Sequence, residues 1–287
     1  MSGPGWKRTL ALPPSVRMVW HESEAYPRDV PIGDLYTRLA FPSSPTALPY
    51  LVANMVMTQN GEATIEGKAA TIGTPVDGLV LTRLRAAADV LLTGAGTMVA
   101  EDVVAALPDA EVARRIADGR PRRLVAAVLA SRLDWDERIF SRRFFSDTRF
   151  DKIIVTGNRA MLEAIRRVET RGVEVVRVAS DSDGRPDARA ALEALSRRGA
   201  RLAVSEGGPR VLASLLRATV LREYFLTTSP CVTGEVDAPR PIMGVVTSGA
   251  RPPVLARVSR YEYAFTDPES GAALVEAYER FRIVYPP

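Results

Sequence analysis

Two glycine turns are the parts of this sequence best suited to chemistry: Gly94-Ala95-Gly96-Thr97 and Glu206-Gly207-Gly208-Pro209. Each follows a short apolar run and opens a helical pattern. Ala88–Leu92 leads into the first, and Leu202–Ser205 leads into the second. Glycine lets the backbone approach an anion with no Cβ in the way. The bare N–H groups and positive dipole end of a following helix favour phosphate. Pro209 suits a first helical position, where its missing N–H costs nothing. For either turn alone, a tight bend needing positive φ is an equal reading. Two turns at two strand ends describe a dinucleotide crevice at the carboxyl edge of a parallel sheet. A third strand end, Val155-Thr156-Gly157-Asn158-Arg159, offers Asn158 and Arg159 where a carboxylate would favour NAD. An arginine there accommodates a 2′-phosphate, so NADPH is the expected cofactor.

What is missing narrows the chemistry further. The chain has 287 residues, one cysteine (Cys231) and one histidine (His21). These numbers exclude an internal disulfide and a multi-thiolate or His-rich metal centre, and they leave little room for a Ser-His-Asp triad. Both residues read as structural, Cys231 as an inert thiol in the apolar-flanked Ser-Pro-Cys-Val segment. No metal is expected. An enzyme without metal or reactive thiol borrows its reactivity from an organic cofactor. The net charge of +4 comes almost wholly from arginine, since lysine occurs only at positions 7, 68 and 152. The arginines are scattered along helical faces, which argues against a nucleic-acid partner. No run is long and apolar enough for a membrane span, and no secretory pattern opens the chain. A cytoplasmic enzyme with a small-molecule substrate is the expectation.

Positioning those turns requires a sheet. Strands are expected at Tyr50–Val56, Ala88–Leu92, Leu124–Leu129, Ile153–Thr156, Val173–Val178, Leu202–Ser205 and Glu223–Thr228. Helices are expected at Asp77–Ala87, Ala160–Glu169, Ala188–Arg197 and Val211–Ala218, each with an apolar stripe. Continuous apolar strands alternating with amphipathic helices imply an α/β fold, a mostly parallel sheet flanked by helices on both faces. Val254–Val258 and Tyr261–Phe265 suit strands at an edge, while Ala272–Val284 fits both the helical and the strand period. The first 49 residues, rich in proline, are expected to form an arm with one short helix at Gly33–Leu39. The remainder, 50–287, forms one domain.

The ordered set Asn54-Met55-Val56-Met57-Thr58-Gln59-Asn60-Gly61, Leu84-Arg85-Ala86-Ala87-Ala88-Asp89, Gly94-Ala95-Gly96-Thr97 and Glu206-Gly207-Gly208-Pro209 resembles a known family. It is similar to the reductase domain of bacterial riboflavin biosynthesis, a relative in fold of dihydrofolate reductase. Thr227-Thr228-Ser229-Pro230 with Gly234 is similar to a later stretch of that family, and the arm resembles that of stand-alone actinobacterial members. The resemblance implies an NADPH-dependent 5-amino-6-(5-phosphoribosylamino)uracil reductase, working as a homodimer.

Carried over by matching positions, Thr97, Glu101 and the segment from Gly208 through Pro209, Arg210, Val211 and Leu212 to Ser214 would contact cofactor. Gly94, Gly96, Thr156, Arg159 and Gly207 complete that set, with Met57 and Thr71 on the nicotinamide side. Arg85 would bind substrate phosphate, since a guanidinium grips it bidentately. Glu206 would accept from pyrimidine N–H groups. Plainer roles stand beside these: Arg85 capping its helix, Glu206 binding nearby backbone, Thr97 capping a helix. The family has Ser-Leu-Asp-Gly where this chain has Thr58-Gln59-Asn60-Gly61, so Asn60 stands at the substrate side with altered charge. That departure admits a pterin or another heterocyclic imine as substrate, and a non-catalytic NADP(H)-binding paralogue is a further alternative. A second phosphate-site arginine has only Arg114 and Arg120 as candidates. The His-x-Glu and Cys-x-x-Cys of the zinc deaminase that accompanies this reductase cannot be supplied here. No side chain stands out as proton donor, and a water could serve.

Overall fold

The apolar runs hydrogen-bond side by side into one eleven-stranded sheet, seen in a computed structural model that describes residues 3–42, 47–244 and 251–286. Among the described residues the chain forms α1 (Trp6–Thr9), β1 (Ser15–His21), β2 (Arg28–Pro31), β3 (Tyr50–Thr58), a 3-10 turn at Ala69–Thr71, α2 (Pro75–Ala87) and β4 (Val90–Gly94). Next come α3 (Ala95–Glu101), α4 (Asp109–Ala117), β5 (Val125–Ala130), α5 (Glu137–Phe140), α6 (Arg143–Ser146), β6 (Asp151–Gly157), α7 (Leu162–Glu169) and β7 (Glu174–Val178). The chain ends with α8 (Ala188–Ser196), β8 (Leu202–Ser205), α9 (Pro209–Arg217), β9 (Leu221–Ser229), β10 (Val254–Thr266) and β11 (Ala273–Val284).

The sheet order is β2-β1-β10-β11-β9-β3-β8-β4-β5-β6-β7. From β9 to β7 every pairing is parallel, and from β11 to β2 every pairing is antiparallel. The parallel strands are apolar on both sides because both sides are covered. Along β5, Ala126, Val128 and Ala130 join one core with Val80 and Leu84 of α2 and Ile165 and Val168 of α7. The alternate residues Ala127 and Leu129 join the other core with Leu192 of α8 and Leu212 and Leu215 of α9. The two-residue period of the strand thus sends neighbours to opposite layers.

Three expectations are corrected. Gly33–Leu39 is a series of turns and not a helix. Arg83 of α2 explains this by collecting the carbonyls that a helix would use: Nη1 donates to Ile32 O (2.9 Å) and to Leu35 O, and Nη2 donates to Gly33 O (3.0 Å). Tyr36, at φ 52°, also lies outside helical backbone. Val254–Val258 and Tyr261–Phe265 form a single strand, β10, with an irregularity between Arg257 and Ser259. That strand is interior, flanked by β1 and β11. The arm does more than lie on the domain, for it adds β1 and β2 to the sheet. The ambiguous run Ala272–Val284 resolves as β11, which is paired on both sides. A polar chain of contacts anchors it to α2. Glu276 of β11 is fully buried and accepts from Thr74 N (3.1 Å), Thr74 Oγ1 (2.6 Å) and Tyr278 Oη. Thr74 in turn caps α2 by accepting from Val76 N (3.3 Å).

Burial first, and then the neighbouring Asp77 carboxylate, push the Glu276 carboxyl from 4.5 up to about 7, against the hydrogen bonds from Thr74 and Tyr278. The folded chain therefore holds a proton that the unfolded chain has lost. This group's contribution to stability is complete below a pH of about 4.5 and disappears as pH rises to about 7. Glu276→Gln should remove that slope. Urea midpoints measured at pH about 5 and about 8 should converge in the variant relative to the parent. An unchanged difference between the two pH values would sink the assignment.

Candidate active site

β8 is only four residues long and ends between β3 and β4. Ser205 pairs with Ala53 on one side and with Leu92 on the other. The two glycine turns consequently leave the sheet as neighbours, and they are bonded to each other. Glu206 N donates to Leu92 O (3.0 Å), and Gly94 N donates to Gly207 O (2.8 Å). A Cβ at Gly94 would stand 2.9 Å from Val211 Cγ2, and one at Gly208 would stand 2.6 Å from Thr97 Oγ1. Gly207 has φ 81°. These glycines are required by close approach and backbone conformation. Gly96 differs, because a Cβ there would meet nothing within 4 Å. It faces open space.

That space is a cavity of about 440 Å³ at the carboxyl ends of β3, β4 and β8. One wall is a stripe of α2 made of Asp77, Leu81 and Arg85, spaced four residues apart so that they share a face. The turns contribute Gly96, Thr97, Glu101, Glu206, Gly208 and Pro209. Arg85 and Glu206 form a two-pronged ion pair across the cavity wall, Nε to Oε1 at 2.6 Å and Nη2 to Oε2 at 2.7 Å. Their side chains are only 14% and 11% exposed. Burial alone would lower the Arg85 guanidinium, but Glu206 more than reverses this and holds it above its ordinary value. Arg85 Nη1 donates to Val104 O (2.9 Å), away from its own helix end. The C-terminal carbonyls of α2 are served instead by Arg115, whose Nη1 donates to Ala86 O (2.8 Å) and Ala88 O. Helix capping is therefore not the role of Arg85. Glu206 does not bind backbone, and Thr97 caps nothing, for the N-cap position of α3 is Gly94.

Several expected residues stand elsewhere. Asn60 lies outside the cavity lining and clamps a loop: its Nδ2 donates to Thr233 O (2.5 Å), and its Oδ1 accepts from Thr58 Oγ1 (2.8 Å). Met57 and Thr71 are also outside the lining. Thr71 Oγ1 donates to Lys68 O (3.2 Å) and packs close to Gly3. Gly94, Gly207 and Val211 stand behind the cavity as the contact between the turns. Leu212 is fully buried in the core, and Arg210 is exposed on the first turn of α9. Thr156 and Arg159 lie at the end of β6, two strands from β4. Thr156 is buried, with its hydroxyl unpartnered, and Arg159 packs against Gly184. Arg114 pairs with Glu111 and Arg120 with Asp89, so neither reaches the cavity. His21 is structural, since its Nδ1 accepts from Ser23 N (3.2 Å) and Glu24 N (3.0 Å). Burial raises the Cys231 thiol and keeps it protonated and inert.

The cavity also holds residues that the sequence alone did not single out. Lys7 reaches it from the arm and pairs with Asp77 (Nζ–Oδ2 2.7 Å). Arg143 of α6 reaches it with Nε on Asp102 Oδ2 (2.9 Å). Burial would raise the Asp102 carboxyl, but Arg143 holds it below its ordinary range. Asn54, on the first of the resemblance motifs, is 6% exposed, and its Oδ1 has no partner. A lone lysine in a proline-rich arm carries no local mark of the helix it will meet. Asn54 opens the first resemblance motif and is a polar residue within the apolar run Tyr50–Val56.

The family model of the RibD C-terminal domain matches residues 49–256. This chain belongs to that family. A curated relative, the 2,5-diamino-6-ribosylamino-4(3H)-pyrimidinone 5′-phosphate reductase of Archaeoglobus fulgidus, is 28% identical over 194 residues, covering 67% of this chain and 84% of the relative. Among solved structures, a pyrimidine reductase-like protein from Corynebacterium diphtheriae superposes with a TM-score of 0.66 at 23% identity, over 83% of this chain and 93% of that one. The yeast riboflavin biosynthesis reductase Rib7 superposes with 0.54 at 14% identity, over 85% and 93%. These structural likenesses establish a shared fold. Lys7, and β11 with Glu276, lie outside the matched RibD C-terminal segment.

The ion pair makes a measurable claim about this RibD C-terminal domain. Arg85→Met strands a buried carboxylate, and the melting temperature should fall by the equivalent of about 3–5 kcal/mol. The double variant Arg85→Met/Glu206→Leu should recover much of that loss, because no charge is left unpaired. Additive losses in the double variant would show that the two side chains do not act as a pair.

Proposed function

We propose that this chain is an NADPH-dependent reductase of riboflavin biosynthesis, acting on a phosphorylated ribosylaminopyrimidine. The Arg85–Glu206 pair carries this reading, because it sets a guanidinium and a carboxylate into the cavity wall beside the turns suited to phosphate. Glu206 and Val104 use three of the five N–H groups of Arg85, so two are free for a phosphate oxygen. The curated relative is named as the reductase of a ribosylamino-pyrimidinone 5′-phosphate.

The residues fit the cofactor as well. Gly96 faces open cavity, α9 presents an N-terminus with no side-chain cap, and Thr97 stands between them. β5 separates β4 from β6, so the Thr156–Arg159 loop lies about 10 Å along the same sheet edge. A dinucleotide spans such a distance, with Arg159 toward the 2′-phosphate. NADPH supplies the hydride, and the chain supplies position, charge and exclusion of water. Asn60, outside the cavity lining and bonded to Thr233, gives a pterin no support over the pyrimidine. Homodimerisation and a cytoplasmic location belong to the same reading. Among the described residues no helix is long and apolar enough to cross a membrane.

The purified chain should oxidise NADPH when given the phosphorylated ribosylaminopyrimidine and should ignore dihydrofolate. Gly208→Val places a side chain against Thr97 and should weaken NADPH binding at least about tenfold, as read by nucleotide fluorescence. Turnover of neither substrate overturns the reductase reading. Normal NADPH binding by the Gly208 variant overturns the placement of the cofactor.

A further inference from the structure

Reduction at a carbon–heteroatom bond needs a proton as well as a hydride, and few cavity groups can give one. The two arginines that line the cavity, Arg85 and Arg143, keep their protons at any working pH. Glu206 is committed to Arg85, Asp102 to Arg143, and Glu101 Oε1 accepts from Ala69 N (2.6 Å). Thr97 and Asn54 hold protons too weakly acidic to donate. Lys7 is different. Its ammonium carries transferable protons, lines the cavity, and is 27% exposed.

Resting on the reductase reading above, we propose that Lys7, carried in by the N-terminal arm, is the proton donor for the reduced product. Asp77, 2.7 Å from Nζ, holds the ammonium against α2, eight residues or about 12 Å along the helix from Arg85. A phosphate near Arg85 would leave the rest of the substrate extending along the stripe toward Lys7. As a new C–H bond forms at the sugar carbon, its bond to the sugar-ring oxygen would break, and the electron pair would move onto that oxygen. That oxygen would take one proton from Lys7 Nζ, and solvent would then reprotonate the amine. Burial by itself would lower the Lys7 ammonium, but Asp77 above all, by its charge and its hydrogen bond, outweighs this and keeps the group charged. An alkoxide is a far stronger base than an amine, so a stabilised ammonium still donates to it.

Lys7→Arg preserves the charge and the pairing with Asp77 but replaces the ammonium with a group that releases its proton far less readily. It should bind NADPH and melt as the parent does, while kcat falls about 100-fold or more. Lys7→Ala should lose as much, and ethylammonium, but not guanidinium, should restore part of its rate in proportion to concentration. Parental kcat within about threefold in Lys7→Arg, a loss confined to KM, or failure of ethylammonium to rescue Lys7→Ala would each overturn the proposal. If Lys7→Arg melts early, the rescue experiment decides alone. An inactive parent overturns the reductase reading and this proposal together, whereas an active parent with active Lys7→Arg overturns this proposal only.

Discussion

The two backbone hydrogen bonds between the glycine turns are the constraint on which the site depends. Glu206 N to Leu92 O and Gly94 N to Gly207 O extend the pairing of β4 with β8 past the end of the sheet. They lock together two segments more than a hundred residues apart. Each bond is modest taken singly. Their effect is geometric: with the backbones this close, Gly94 and Gly208 have no room for side chains beside Val211 and Thr97. Everything in the cavity is referenced to this junction. It aims Glu206 at Arg85, opens Gly96 to the cavity, and starts α9 at the same place.

Electrostatics then shape the walls. The cavity is lined by the cations Lys7, Arg85 and Arg143 and by the carboxylates Asp77, Glu101, Asp102 and Glu206. Each cation is tied to a carboxylate, and each pair joins separate parts of the chain: arm to α2, α2 to the second turn, α6 to the end of α3. Such pairs are costly to desolvate, and their value lies in fixing geometry more than in adding stability. A wall made of paired charges is rigid before any ligand arrives, which is what positioning for hydride transfer requires. Only as pH rises to about 7 and the buried Glu276 behind Asp77 loses its proton does it add to the negative field around Lys7.

The arm and the C-terminal hairpin connect this site to the rest of the sheet. β10 and β11 bring Glu276 beneath α2, and β1 and β2 extend the same antiparallel half. Trp6 of α1 donates from Nε1 to Asp267 Oδ1 (2.9 Å), just past β10, and packs edge-on against Phe265 (5.1 Å between ring centres). Lys7 is therefore anchored by the residue beside it.

Local patterns in the sequence were enough to mark the parallel strands, the four helices α2, α7, α8 and α9, and both glycine turns, but not α4, α5 or α6. Apolar runs such as Val125–Ala130 and stripes such as that of α9 satisfy their own hydrogen-bonding and burial needs in only one way. The family motifs likewise singled out Arg85 and Glu206, which line one cavity, though not as partners of each other. Tertiary structure alone decided the rest. Whether Ala273–Val284 forms helix or strand depended on β9 and β10 as partners on either side. Gly33–Leu39 lost its helix to a guanidinium from α2, and Asn60 clamps Thr233 outside the cavity lining. Lys7 became part of a cavity more than forty residues before the matched family segment begins. Each of these outcomes turns on a contact between distant residues, and periodicity and local propensity hold no information about such contacts.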